Sequence, residues 1–191
     1  MAEPLPADHR IRLIYLVFFA QAFAGGSLFA RVPDIQQQAG LSETQLGLVL
    51  TAASVGGLLS LVTSGQLIQR CGTLWPLVLG LPTLSLAQAL VTVMPSLIGM
   101  MVLMVLVGAA FSISNVAMNV EADRIEATTG RRVMNRCHGI WSLGMLATSL
   151  LGVLARAIPA TPTQHFLCIL PVSVLTAIYI ALRMTPAAEP R

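Results

Sequence analysis

The chain has 191 residues, of which 55% are hydrophobic and 10% charged, with a formal net charge of +3 and a mean hydropathy of +0.80. Soluble domains carry about 25% charged residues, so this composition excludes an ordinary water-soluble fold and indicates a membrane protein. The small positive charge comes without a basic stripe interleaved with aromatics, which excludes a nucleic-acid partner.

Taken in order, residues 1–12 read as a cytoplasmic segment and 13–30 as a first membrane span. Ala22, Phe23 and Ala24 imitate a signal-peptide cleavage site. Against that reading, the apolar run continues through Phe29 and the preceding stretch carries Glu3 and Asp8. The outer loop 31–43 reads RVPDIQQQAGLSE, in which Pro33 and Asp34 can open a short helix and Gly40 can close it. A second span is expected at 44–69. Its start is well specified, because Ser42 and Gln45 form a capping box and Leu41 and Leu46 are spaced for a hydrophobic staple.

Residues 71–120 contain no Asp, Glu, Lys or Arg. A charge at the centre of a spanning helix costs roughly 2.5 to 3.5 kcal/mol, so this desert reads as chain kept in lipid. Met94, Pro95 and Ser96 divide it into the third and fourth spans. The inner loop 121–136 mixes three acids with four arginines and reads as an amphipathic extension at the headgroups, a topology anchor. The fifth span is expected at 137–155 and the sixth within 164–182, followed by a cytoplasmic tail, 184–191. The transmembrane domain is thus 13–183, all-α, with six spans.

All eleven basic residues are arginines. With a cytoplasmic amino terminus, Arg10, Arg12, Arg70, Arg124, Arg131, Arg132, Arg136, Arg183 and Arg191 fall inside and only Arg31 and Arg156 outside. The positive-inside rule therefore places both termini in the cytoplasm. The implied partners are the lipid bilayer and its anionic headgroups.

Catalytic and metal signatures are missing from the sequence. Cys71, Cys137 and Cys168 form no CxxC, and His9, His138 and His165 are widely spaced. No HExxH, GxSxG, P-loop or paired acidic motif occurs. The expectation is no enzyme, no cofactor and no metal.

Helix association in lipid relies on close contact between small residues. Ala52, Gly56, Ser60 and Ser64 in the second span, and Gly144, Thr148 and Gly152 in the fifth, mark such seams. Pro82 and Pro171 are positions for kinks in the third and sixth. In the fourth span Ser112, Asn115 and Asn119 share one face and need a partner or a wet cleft. His138, Trp141, Ser142 and Met145 form a similar stripe in the fifth span, while Gln21 and Gln88 are single polar groups in the first and third. For each, an interhelical hydrogen bond is the plainer reading; together they suggest a wet central cleft.

The loop GQLIQRCGT resembles the signature G-x-L-x-D-R-x-G, followed by a basic residue, of the major facilitator superfamily, and it matches at Gly65, Leu67, Arg70 and Gly72. It departs at Gln69, where the acid belongs, and at Thr73. FARVPDI, LSETQLG, NVAMN and HGIWSLG are similar to the sugar-permease-like branch that contains fucose permease relatives. This resemblance covers roughly residues 12–183. It implies the amino-terminal half of a transporter, built as two inverted three-helix repeats with substrate held near the midplane between two halves. It further implies substrate contacts at Gln21, Asn115 and Asn119, which lie on the two symmetry-equivalent helices lining the cavity. Trp141 can stack on a sugar ring, and gating falls to Gly65, Arg70, Gly72 and His138. Because the sequence carries six spans and a full transporter about twelve, a homodimer or a separate chain is expected to supply a second six-helix half. The alternative is a truncated, non-transporting remnant or membrane scaffold.

Overall fold

The computed structural model describes residues 6–184; residues 1–5 and 185–191, parts of the two terminal segments, lie outside the described residues. It consists of six helices: α1 (Ala7–Ala39), α2 (Glu43–Cys71), α3 (Leu74–Val91), α4 (Leu97–Thr129), α5 (Met134–Ala157) and α6 (Pro162–Arg183). Each is long and apolar enough to cross a membrane. Apolar side chains that water would reject stand on the outside, among them Val62 at 83% exposure. In lipid these faces carry no such penalty.

The ends follow local chemistry. Ser42 Oγ accepts the Gln45 N–H while Gln45 Oε1 accepts the Ser42 N–H, so α2 begins on the expected capping box. Thr161 and Gln164 do the same for α6. Gly40 closes α1 at φ +62°, a left-handed conformation that suits glycine.

Two expectations are corrected. Residues 31–39 do not form a loop with its own short helix, because α1 runs unbroken through Pro33 to Ala39. An internal proline costs about 3 kcal/mol, and tertiary contacts offset it here. Arg31 is buried and bonded to the Ala160 carbonyl, and Ile35 is buried in the core. The inner loop is also shorter than expected, since α4 continues to Thr129 with Ala122 and Ile125 buried against the bundle. The Glu126 carboxylate then accepts the N–H groups of Val133 and Met134, at 2.8 and 3.0 Å. It thereby caps α5, whose own N-cap residue Val133 has no capping side chain.

In the packing, α2 lies along α4, α1 along α5, and α3 touches both α4 and α6. Exchanging α1 with α4, α2 with α5 and α3 with α6 maps the two main pairs onto each other, as two inverted three-helix repeats require. Both crossings depend on missing side chains. A Cβ on Gly108 would sit 1.8 Å from the Ala53 carbonyl oxygen, and one on Gly56 2.0 Å from that of Val105. Across α1 and α5, a Cβ on Gly144 would meet the Phe19 oxygen at 2.7 Å. The small-residue stripes of α2 and α5 are buried along their whole length. Pro82 and Pro171 are accommodated inside continuous helices.

Candidate functional site

Gln21 is fully buried in α1 and bonded on both sides. Its Oε1 accepts the Trp141 Nε1–H at 2.8 Å, and its Nε2 donates to the Phe111 carbonyl at 3.4 Å. One amide thus links α1, α4 and α5, which is the interhelical role that the plainer reading foresaw. Trp141 is half-buried and held at a fixed orientation by that bond.

Asn115 lies one turn beyond Phe111 on α4, and Asn119 one turn further. Both are half-buried. Asn119 Nδ2 donates to the Asn115 carbonyl at 2.8 Å and to Asn115 Oδ1 at 3.3 Å. An asparagine amide offers two donors and a carbonyl with two lone pairs, so this pair retains capacity for a further partner. Val116, Val120 and Trp141 are partly buried against the same core cluster. The structure therefore joins Gln21 to Trp141 directly and sets the asparagine pair along the helix that Gln21 touches. Ser112 lies apart, in a mainly apolar recess with Gly25 and Phe111.

The residues assigned to gating are scattered over the end of the bundle that holds the amino terminus. Gly65 is exposed with open space where a Cβ would go, and Arg70 is exposed in the last turn of α2. Gly72 ends α2 at φ +73° and donates its N–H to the Ile68 carbonyl. His138 is exposed on α5 and meets Phe18 edge to face at 5.7 Å.

Thr73 has a role that the sequence reading missed. Fully buried where the signature has a basic residue, it donates through Oγ1 to Glu121 Oε2 at 2.7 Å. The α2–α3 turn is thereby tied to α4. Nothing local advertises this contact, which spans 48 positions. At the same end Arg131 pairs with Asp8. At the opposite end, Asp34 Oδ2 is shared by Arg31 Nε and Arg156 Nε, each at 2.9 Å. The i, i+3 spacing of Arg31 and Asp34 was the available signal for half of that cluster.

Six apolar helices in two exchangeable triplets, with a small polar patch where α1, α4 and α5 meet, make up a multi-pass membrane bundle. The chain belongs to the Major Facilitator Superfamily, whose profile matches residues 14–191. It is 30% identical over 129 residues to an uncharacterized MFS-type transporter of Yersinia pestis, covering 68% of this chain and 34% of that protein. It is 25% identical over 149 residues to an uncharacterized transporter of Sinorhizobium fredii, covering 74% of this chain and 38% of that protein. The matched region therefore spans well under half the length of either relative.

Proposed function

We propose that the chain is one half of a solute carrier in a bacterial-type inner membrane, working by alternating access on a small, sugar-like solute. A second six-helix half completes the cavity. The asparagine pair on α4 is the observation that carries this reading. Two amides with spare hydrogen-bonding capacity share one half-buried face of α4, and polar groups inside membranes mark solute pathways. Asn115, Asn119 and the Trp141 indole are the proposed contacts, with Gln21 positioning the indole. Membership of the superfamily and the two transporter relatives support transport as the activity.

The test is uptake into proteoliposomes over a panel of labelled sugars and other hydroxylated solutes. Asn119→Leu is expected to reduce uptake at least tenfold while inserting normally, a loss of about 1.4 kcal/mol per factor of ten. Uptake no greater than in empty vesicles would instead support a non-transporting scaffold. Gln69 favours that second reading, since it stands where the gate signature has an acid.

A further inference from the structure

The end of the bundle opposite the amino terminus carries charge that solute transport, as proposed above, does not use. Arg31 is only 2% exposed, and its guanidinium is incompletely served. Nη2 donates to the Ala160 carbonyl and Nε faces Asp34, but Nη1 has no partner. A buried charge is normally paired and hydrogen-bonded throughout. The Asp34 oxygen that meets Arg31 Nε also accepts the Arg156 Nε–H, so one carboxylate is shared between two guanidinium groups. Two guanidinium groups and one carboxylate leave a net charge of +1 at this point.

A recess of about 410 Å³ lies here, walled by Arg31, Asp34, Arg156, Ala160, Thr161 and Pro162. The last two are the N-cap and first residue of α6, so the positive end of that helix's dipole faces the same space. One turn into α6, His165 is 4% exposed and neither ring nitrogen has a hydrogen-bond partner. Arg31 and Asp34 are its charged neighbours. Arg31 from α1 and Arg156 from α5 thus face one recess that holds a single acid, beside the start of α6.

We propose that this recess binds a singly charged oxyanion, a phosphate or carboxylate group, between Arg31 and Arg156. The planar forks of two arginines suit such a group. The proposal is independent of the transport reading, because the site lies apart from Asn115 and Asn119 and its test does not measure uptake.

The experiment is thermal unfolding of the purified full chain in a neutral detergent. Inorganic phosphate is titrated against chloride at constant ionic strength. Separately, mixed micelles containing phosphatidylglycerol are compared with micelles containing phosphatidylcholine. The expected result is a saturable rise in the unfolding midpoint that chloride does not reproduce. Arg156→Gln, at an exposed position, should weaken the apparent affinity at least tenfold. Asp34→Asn, which removes the competing carboxylate, should strengthen it several-fold. Protection by phosphatidylglycerol alone would identify a lipid headgroup as the source, and protection by phosphate alone a free anion. The proposal is overturned if phosphate matches chloride and the two lipids also match, or if Arg156→Gln leaves the protection unchanged.

Discussion

Thr73 shows how much one hydroxyl can carry in this bundle. It fastens the α2–α3 turn to a carboxylate on α4 that is 1% exposed. Removing a donor from a buried acceptor costs about 1–3 kcal/mol, with more for a charged one. Thr73→Val is therefore expected to lower stability by about that amount, read as the unfolding midpoint in detergent, while Thr73→Ser retains most of it. An unchanged midpoint for Thr73→Val would show that the bond does not contribute. At this scale the sequence was partly legible. Polar residues inside apolar spans are conspicuous, so Gln21, Asn115, Asn119 and Trp141 could be picked out one by one. Their pairing could not be read, because Gln21 and Trp141 are 120 positions apart and only the crossing of α1 and α5 joins them. Thr73 drew notice only as a departure from a motif.

Helix crossings obey a simpler rule, and glycine position decides them. Gly108→Val is expected to force α2 and α4 apart, since even a Cβ there would lie 1.8 Å from the Ala53 oxygen. Overpacking of this kind typically costs 1–3 kcal/mol, occasionally more, and should appear as a lower midpoint and a less uniform detergent-solubilised product. Gly65→Ala is the contrasting case, because nothing lies within 4 Å of its Cβ position. It should leave the packing unchanged and raise stability by up to about 1 kcal/mol, as alanine for glycine does inside a helix, so any loss of uptake in that variant would reflect gating rather than packing. The buried stripes of α2 and α5 were readable because small residues four apart leave a clear period. Gly108 was less so, since its spacing of small residues reaches only Ser112 and is broken by Met104 on the other side. The continuation of α1 through Pro33 was hidden for another reason: proline is a strong local stop signal, and Arg31 and Ile35 override it through contacts from other helices.

Viewed whole, the bundle is a near-symmetrical pair of triplets whose order of spans was legible from charge spacing, while the packing between them was not. If a second copy supplies the other half, light scattering in detergent should give a protein mass of twice 20.2 kDa. A mass of one chain would rule out a second copy as that half. Any second half must insert with the same orientation and sit about an axis along the membrane normal. The helices also differ widely in length. At about 1.5 Å per residue, α1 and α4, with 33 residues each, reach about 50 Å, whereas the 18 residues of α3 reach about 27 Å. A hydrocarbon layer of about 30 Å is filled by α3 almost from end to end, whereas the two 33-residue helices are too long to lie wholly within it. The charged ends of α1 and α4 therefore stand clear into headgroups and water, and α3 sets the thickness to be matched, so acyl chains of modest length will house this protein with the least distortion.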